Sequence, residues 1–398
     1  MNIILYDDPL IKQQLLPLTF IRPVAGIRVG ILTIAEKWEL YSGENVSYRV
    51  DDYLSYKFPA ILSDDSMLIN GSVCPTPEIW LAIQSLEKGD GEGEGEVLGN
   101  DGIVLAARVS EIPQDFAGLK ITKEIKTDTT IIQHTWDIFA ENGQQIVADF
   151  KLITNGRESQ KITDPHTIIY GLENVFVEEG VEFKAAIINA EEGPVYIGKN
   201  AKIMEGAIMR GPVSVGEGTH VNMNAKVRSN TTLGPFCRAG GEINNVVMFG
   251  NSNKGHEGFL GNAVVGEWCN IGADTNNSNL KNNYTMVKMW DYSQARFVKT
   301  GRQFCGLVMG DHTKCGINTM FNTGTVIGIG ANIFGAGFPR NFIPSFSWGG
   351  AGGFTSYRLE RFFEMAENMM VRRNIQLSDL DRDLLSHIFE ISSSNRDF

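Results

Sequence analysis

Residues 197–239 read IGKNAKIMEGAIMRGPVSVGEGTHVNMNAKVRSNTTLGPFCRA, and every sixth position of this stretch is small or aliphatic. These positions are Ile197, Ile203, Met209, Val215, Val221, Val227, Leu233 and Ala239. A period of six fits neither an α-helix, whose apolar positions recur about every 3.6 residues, nor a half-buried strand, whose period is about 2. It is the hexapeptide repeat of a parallel β-helix, in which each six-residue rung forms one flat wall of a triangular coil.

The same phase returns near the end of the chain. Met309, Cys315, Phe321, Ile327 and Ile333 again lie six apart, and the residues four places after the first four are Thr313, Thr319, Thr325 and Ala331. We expect the aliphatic residue to point into the coil and the small residue to fit its corner. Glycine often follows the aliphatic position, where it tolerates unusual backbone dihedral angles. Together the two runs predict a coil from about Val175 to Phe338.

Composition limits the function. The chain has 398 residues and a net charge of −12, so a partner such as nucleic acid or an anionic membrane is disfavoured, and an acidic substrate needs local basic residues. Its five cysteines include no C-x-x-C pair, which predicts neither a disulfide framework nor a zinc site. Neither a leader-like start nor a long apolar segment is visible, which predicts a cytoplasmic protein with no membrane insertion.

The pattern divides the chain into three segments. In residues 1–165, short apolar runs alternate with helix-like stretches, which predicts an α/β, Rossmann-like domain with a mainly parallel sheet. Residues 166–340 form the predicted β-helix, with a polar insertion at 274–302, and residues 341–398 return to helical periodicity, with Ser378 as a candidate N-cap. The glycine- and glutamate-rich run at 89–96 is expected to be a solvated loop.

The densest polar cluster lies where the period of six is disturbed. It contains a histidine between glycines, in the run SNKGHEGFLGNA at 252–263, followed by Val265-Gly266 and by NIGADT at 270–275. This order of elements resembles the acetyltransferase half of GlmU, a two-domain enzyme that acetylates glucosamine 1-phosphate and then couples the product to UTP. The whole chain is most similar to the alternative GlmU-like sugar nucleotidyltransferases of Bacteroidetes, and it is related to two-domain glucose-1-phosphate thymidylyltransferases.

The resemblance implies a left-handed β-helix, acetyl-CoA as co-substrate and a homotrimer whose sites lie between neighbouring coils. It also implies that His256 is the base that takes a proton from the sugar ammonium, a task suited to an imidazole with an ordinary pKa of about 6.5. The candidate substrate-binding residues are Glu242, Asn244, Lys254, Asn270, Asn279, Lys281 and Lys288. Asn244 stands where GlmU has a lysine, and Phe259 where relatives have a tyrosine, so the acyl acceptor stays open.

The amino-terminal segment has a weaker resemblance to sugar nucleotidyltransferases. Pro17-Leu18-Thr19-Phe20-Ile21-Arg22-Pro23 keeps the middle of their Pro-Leu-Thr-x-x-Arg-Pro-Lys motif, but Tyr6-Asp7-Asp8-Pro9 replaces the Gly-rich loop that holds the nucleotide phosphates. Two carboxylates and a missing N–H donor disfavour a triphosphate there. Arg22, Arg28, Lys37 and Asn70 are the candidate nucleotide-binding residues. A carboxylate for Mg²⁺ could come from Asp64, Asp65, Asp137 or Asp149, and we take Asp149 as the candidate.

Three hypotheses follow. In the first, the β-helix acetylates glucosamine 1-phosphate or a similar amino-sugar phosphate, and the amino-terminal domain joins a sugar 1-phosphate to a nucleotide from UTP or dTTP. In the second, the chain is only a sugar-1-phosphate nucleotidyltransferase, and the β-helix is an oligomerisation scaffold. In the third, it is a non-catalytic protein that binds sugar nucleotides.

Overall fold

The computed structural model describes residues 2–88, 95–113 and 115–398, so residues 89–94 of the glycine- and glutamate-rich run lie outside the described part. The chain divides into two compact units. The first comprises Met1–Leu15, Ile21–Ile27 and Leu32–His134, and the second comprises Leu16–Phe20, Arg28–Ile31 and Thr135–Phe398. The main division therefore follows His134, whereas the predicted boundary was at residue 165, because the helix after His134 packs with the second unit.

The first unit contains six strands and four α-helices in its described part. They are β1 (Asn2–Tyr6), α1 (Pro9–Gln14), α2 (Ile34–Ser42), β2 (Val46–Arg49), α3 (Asp52–Ser55), β3 (Ser66–Asn70), α4 (Pro77–Gln84), β4 (Val97–Asn100), β5 (Ile103–Val109) and β6 (Lys123–Glu124), with a 3₁₀ turn at Val24–Gly26. Local sequence explains the helix starts. Thr33 and Glu36 form a capping box on α2, and Thr76 caps α4, which begins with a proline.

The sheet of the first unit has the strand order β2-β1-β3-β5-β4-β6. Strands β1, β2 and β3 are parallel, as predicted, but β5 is antiparallel to both β3 and β4. The prediction of a mainly parallel sheet missed the hairpin between β4 and β5. Its two-residue turn is Asp101-Gly102, and both residues have positive φ, which is the signature of a tight hairpin turn.

The second unit begins with helix α5 (Thr135–Thr154) and continues as a solenoid of short strands. The strands are β7 (Ile168–Tyr170), β8 (Val175–Val177), β9 (Glu182–Phe183), β10 (Ile187–Asn189), β11 (Val195–Ile197), β12 (Lys202–Ile203), β13 (Ile208–Arg210), β14 (Val213–Val215), β15 (His220–Val221), β16 (Lys226–Val227), β17 (Thr231–Leu233), β18 (Arg238–Ala239), β19 (Glu242–Met248), β20 (Asn253–Lys254), β21 (Phe259–Val265), β22 (Asn270–Ile271), β23 (Asn276–Asn277), β24 (Lys288–Asp291), β25 (Arg296–Lys299), β26 (Leu307–Met309), β27 (Lys314–Cys315), β28 (Met320–Phe321), β29 (Thr325–Ile327), β30 (Asn332–Ile333), β31 (Phe342–Ile343), β32 (Ser347–Gly350) and β33 (Gly353–Ser356).

Strands one coil apart pair in parallel and form the walls of the solenoid. In the regular part each coil consists of three complete rungs, as Lys202, His220 and Arg238 show by pairing in succession. All thirteen residues of the two six-residue series are buried inside the coil, none more than 4% exposed. The predicted β-helix is confirmed, because a rung of six residues places one side chain per wall in the interior.

The corners of the coil are held by small polar residues. The Thr219 hydroxyl donates to the Gly234 carbonyl and accepts from the Cys237 N–H, and Ser252 makes the same pair of bonds with Gly266 and Cys269. A short hydroxyl side chain is suited to this bracket, because it satisfies buried backbone groups of the next coil.

The insertion leaves the solenoid later than predicted. Strand β23 still pairs with β28, so the chain departs after Asn277 and returns at Leu307, not at 274 and 302. Within the insertion, β24 and β25 form an antiparallel hairpin. The cysteines at 74, 237, 269, 305 and 315 are all buried, and none is bonded to another.

Two helices end the chain as predicted: α6 (Leu359–Val371) and α7 (Asp379–Ile391), the second capped by Ser378. Short 3₁₀ turns lie at Leu172–Asn174 and Ser393–Asn395. Helix α6 packs on the last coils through Phe362, whose ring contacts His312 and Phe346. No helix in the described ranges is long and apolar enough to cross a membrane.

Candidate functional site

The site is built where the solenoid loses its regular period. Arg238 pairs with Asn253, and Asn253 pairs with Asn270, so two successive coils are shorter than three complete rungs. The corner between β20 and β21 is the loop Gly255-His256-Glu257-Gly258. Gly258 has φ of +113°, and a Cβ there would lie 2.2 Å from the Thr275 carbonyl oxygen, so glycine is required. His256 is exposed on this loop.

The side chain of Lys254 is buried beneath the loop at residues 255–258 and does not line a substrate cavity. The residue is 1% exposed, and its ammonium donates to the backbone carbonyls of Gly240, His256 and Glu257. Burial lowers the pKa of Lys254 to about 8. The prediction that Lys254 binds substrate is therefore corrected, because all three of its protons already hold the loop that carries His256.

A cavity of about 770 Å³ opens beside His256, and Asn270 is one of the residues that line it. Its polar lining consists of five asparagines, four Lys and Arg side chains and the histidine, namely Asn222, Asn251, Asn253, Asn270, Asn368, Arg238, Lys314, Arg372, Arg373 and His256. No carboxylate is among the lining residues that the structure describes. In a chain with a net charge of −12, this local excess of positive charge selects for an anionic ligand.

The positive charges of the cavity's arginines are not balanced by a carboxylate among the described lining residues. Burial and the neighbouring Arg373 lower the pKa of Arg238, and burial together with Arg238 lowers the pKa of His220. Arg373 donates from Nη2 to Asn253 and to the Phe236 carbonyl, both at 3.2 Å, while its buried Nε has no partner in the described chain. The guanidinium of Arg373 thus retains donor capacity, as expected of a group that receives a phosphate.

The asparagines connect these groups. Asn253 donates to the Asn270 side chain at 3.3 Å and accepts from Arg373, and Asn222 donates to the Gly255 carbonyl at 2.8 Å. Asn253 therefore couples the arginine that follows helix α6 to the predicted sugar-binding Asn270. Lys314 lies at the base of the cavity, where burial lowers its pKa to about 8 and its ammonium donates to the carbonyls of Trp268 and His312.

Other predicted substrate residues do not line this cavity. Lys281 and Lys288 lie in a second cavity of about 780 Å³ at the insertion hairpin. Asn279 donates to the Asn262 side chain at 2.7 Å, and Glu242 forms an ion pair with Arg228 at 3.1 Å. Asn244 is half-buried in β19, opposite Gly261. The structure thus brings His256 and Asn270 together, whereas Lys281 and Lys288 line a different cavity.

Sequence reasoning missed the basic residues of the cavity. Arg238 and Lys314 each immediately precede an inward residue of a rung, where a long side chain reads as ordinary surface. Arg372 and Arg373 follow the last turn of α6, far from His256 in the chain, and only the tertiary structure brings them to the solenoid. The adjacent pair of arginines at a helix end was the one available signal.

In the first unit, carboxylates occupy the loop after β1. Asp8 caps α1 by accepting from the N–H groups of Leu10 and Ile11. Asp7 is buried, accepts from the Val24 N–H at 2.8 Å and lies 3.6 Å from the Lys12 ammonium. Burial raises the pKa of Asp7 to about 7. The N–H groups that begin both short helices are thus satisfied by the protein's own carboxylates.

The predicted nucleotide-binding residues belong to both compact units. Asn70 is 2% exposed, donates to the Val104 carbonyl and accepts from Ser72, so it fixes the turn after β3 and we correct its assignment. Arg22 and Lys37 belong to the first unit and are also buried. Arg28 belongs to the second unit and donates to the Ile31 carbonyl.

The metal prediction does not fit the structure. Asp149 is 2% exposed on α5, and its Oδ2 accepts from the Ile31 N–H at 2.8 Å. Asn142 of the same helix accepts from the Gly30 N–H, so both side chains fix the segment at 28–31. Among residues 2–88, 95–113 and 115–398, no group of three or more His, Cys, Asp or Glu side chains is arranged to hold a metal ion.

Comparison with known proteins shows which families the chain is similar to. Residues 3–158 match the model of a sugar nucleotidyl transferase family. The bifunctional protein GlmU of Methanococcus aeolicus is 33% identical over 119 residues, covering 28% of this chain and 27% of the relative. GlmU of Wigglesworthia glossinidia brevipalpis is 24% identical over 196 residues, covering 48% and 35%.

A third relative is the bifunctional sugar-1-phosphate nucleotidylyltransferase/acetyltransferase of Sulfurisphaera tokodaii, which is 30% identical over 160 residues, covering 40% of this chain and 37% of the relative. The chain therefore spans about a third of the length of the relatives it matches. With a nucleotidyl transferase match in front and a hexapeptide solenoid behind, the chain is similar to the bifunctional GlmU-type proteins in its order of domains.

Proposed function

We propose that the solenoid transfers the acetyl group of acetyl-CoA to the amine of glucosamine 1-phosphate or a similar amino-sugar phosphate. The observation that carries this proposal is the cavity in which exposed His256 adjoins four Lys and Arg side chains and no described carboxylate. An amino-sugar phosphate needs both features: a base for its ammonium group and cations for its phosphate.

The chemistry follows from the positions of these groups. His256 takes a proton from the sugar ammonium, and the free amine attacks the thioester carbon of acetyl-CoA. The new C–N bond forms as the C–S bond breaks, and the departing CoA thiolate takes up a proton. The sugar phosphate is held by Arg238, Arg372 and Arg373, and Asn270 contacts the sugar. Positioning and one general base suffice, so no covalent intermediate on the protein is needed.

Lys254 and Asn253 act through other residues. Lys254 ties the carbonyls of Gly240, His256 and Glu257 to one ammonium, which fixes the loop under the imidazole. Asn253 aligns Asn270 with Arg373. Both residues are positioning groups for the base and for the phosphate.

We further propose a nucleotidyl transfer by the amino-terminal domain, in which a sugar 1-phosphate and UTP or dTTP give a nucleotide sugar and pyrophosphate. The family match over residues 3–158 and the names of the relatives support this second reaction. The carboxylates of Asp7 and Asp8 oppose phosphate binding in the loop after β1, so the triphosphate is held elsewhere in this domain. Asp149 does not fit a Mg²⁺ ligand, and we assign no step to the metal.

We infer that the protein acts in the cytoplasm as a homotrimer in which a neighbouring coil completes the open cavity beside His256. The exposure of His256 supports this inference, because a base open to solvent needs a covering surface to exclude water. Light scattering of the purified chain tests the trimer.

Release of the CoA thiol tests the acetyl transfer. The assay uses acetyl-CoA with glucosamine 1-phosphate, and a thiol reagent reports the product with low background, because all five protein cysteines are buried. Glucosamine without phosphate is the matched control and should react far more slowly. Pyrophosphate release from UTP or dTTP with a sugar 1-phosphate tests the second reaction. Pyrophosphate release alone would support the scaffold hypothesis, and the absence of both reactions would support a binding protein.

A further inference from the structure

A second cavity, of about 780 Å³, lies between the insertion hairpin and the last residues of the chain. It shares no lining residue with the His256 cavity. The side chains that matter here are Lys281, Lys288, Trp290, Phe297, Arg340 and Phe342.

The hairpin presents one face to this cavity. Side chains alternate along a strand, so Lys288 and Trp290 of β24 share a face with their partners Lys299 and Phe297 of β25. Met289 and Asp291 lie on the other face and are buried. The period-two pattern therefore places two lysines and two aromatic rings side by side.

The charges on this face are unbalanced. Lys288 and Lys299 are both exposed and directly opposite each other, an arrangement that destabilises an antiparallel pair. Lys281 and Arg340 add two further cations to the cavity, and Asp397 is the one carboxylate among the described lining residues. An anion in the cavity would relieve the repulsion between the two lysines.

Flat aromatic surface adjoins these cations. Trp290 stacks on Phe342 with ring centroids 4.2 Å apart, and Phe297 meets Trp290 edge-on at 5.4 Å. Phe297 is 41% exposed, and the buried Nε1 of Trp290 has no partner in the described chain. Aromatic rings that stack with a base contribute about 1–3 kcal/mol per base.

We propose that this cavity binds a nucleoside phosphate, with the base against Trp290, Phe297 and Phe342 and the phosphates at Lys281, Lys288 and Arg340. This chemistry has two sources: a free nucleoside triphosphate, or the nucleotide end of CoA, which carries the same groups. The second source rests on the acetyl transfer proposed above. The binding itself does not depend on His256.

Titration calorimetry with adenosine 3′,5′-bisphosphate and with UTP tests the proposal on the full chain. We expect at least one of them to bind the wild type, and Lys288→Ala to weaken binding by about tenfold or more through loss of a charge-assisted bond. Arg296→Ala is the matched control, because Arg296 is an exposed cation of the same hairpin on the opposite face. Ligand binding should change the fluorescence of Trp290, and Trp290→Phe should abolish that change.

The outcomes separate the two sources. Tighter binding of adenosine 3′,5′-bisphosphate, with a raised KM for acetyl-CoA in Lys288→Ala, identifies CoA. Tighter binding of UTP, with that KM unchanged, identifies a free nucleotide. Failure of both ligands to bind, or equal weakening by Arg296→Ala, would overturn the proposal. A chain that binds either ligand but transfers no acetyl group would contradict the proposed function and leave this site standing.

Discussion

The coils on either side of Arg238 differ in length, and this difference separates scaffold from site. From Lys202 to Arg238, each coil has three complete rungs of six residues. After it, two successive coils are shorter, and asparagines and arginines surround His256 on this part of the solenoid. We therefore expect the regular coils to contribute mainly to stability and the shortened coils to carry the chemistry. Substitutions in the two regions should have separable effects.

The largest expected effect is on stability, in the regular coils. Met209 is fully buried, and Met209→Ala should lower the free energy of unfolding by about 2–5 kcal/mol through the lost contacts and the cavity left behind. Met223→Ala is the matched control, because Met223 is 63% exposed and its loss should change stability by no more than about 0.5 kcal/mol. Chemical denaturation measures both. Equal effects of the two substitutions would contradict the assignment of inward and outward positions.

The next effect is on binding, in the shortened coils. Arg373→Ala should raise the KM for glucosamine 1-phosphate by about 10- to 100-fold, the value of one or two lost charge-assisted bonds. Arg210→Ala is the control, since Arg210 is exposed on a regular coil and its nearest carboxylate, that of Glu192, is 3.9 Å away. Steady-state kinetics with the folded variants measure the difference. A KM that Arg373→Ala leaves unchanged would remove the arginines from the proposed site.

The hydroxyl groups of Thr219 and Ser252 make the same hydrogen bonds at a corner in the regular coils and in the shortened coils, respectively. Thr219→Val and Ser252→Ala each remove one hydroxyl that bridges successive coils, and each should cost about 1–2 kcal/mol of stability. We expect only Ser252→Ala to lower the rate of acetyl transfer, because Ser252 immediately precedes Asn253 and braces the residue before Asn270. Thermal unfolding and the thiol assay measure the two properties. Similar rates in both variants would show that the shortened coils tolerate loosening.

A further expected effect is a pH dependence of stability. The pKa of Lys254 falls from 10.5 to about 8 on folding, so between these values the unfolded chain holds a proton that the folded protein has released. The contribution of Lys254 to stability therefore rises as the pH increases from about 8 to 10.5, and it is constant below pH 8. Lys254→Met should remove this rise. Unfolding curves at several pH values measure it, and an identical slope in both proteins would contradict the buried ammonium.

The sequence predicted the solenoid well because its signal is local. One residue in six must fit inside the coil, and the inward residues of both runs, such as Ile203 and Ile327, are buried. His256 was chosen from the resemblance of the run at 252–263, where glycines flank it, to the acetyltransferase half of GlmU. The antiparallel strand β5 was missed, although its Asp101-Gly102 turn was legible in the sequence.

The rest of the site depended on contacts between distant residues. Arg373 reaches Asn253 from 120 positions away, and no local pattern encodes that contact. Lys254 was predicted to bind substrate because lysine is usually exposed. The backbone carbonyls of Gly240, His256 and Glu257 accept hydrogen bonds from its ammonium, and these bonds allow it to be buried. Asp149 and Asn70 were predicted to be ligands because polar side chains are usually exposed. Each is instead buried and accepts a hydrogen bond from a backbone N–H, that of Ile31 and that of Ser72, respectively.

The most direct test is the turnover of His256→Asn with acetyl-CoA and glucosamine 1-phosphate at saturating concentrations. Asparagine keeps a hydrogen-bonding side chain at position 256 but cannot take a proton. We predict that kcat falls by about 10²- to 10⁴-fold, as expected for loss of a general base, while thermal stability and the KM for glucosamine 1-phosphate stay close to the wild type. An unchanged kcat would show that the interruption of the repeat is not where the chemistry occurs.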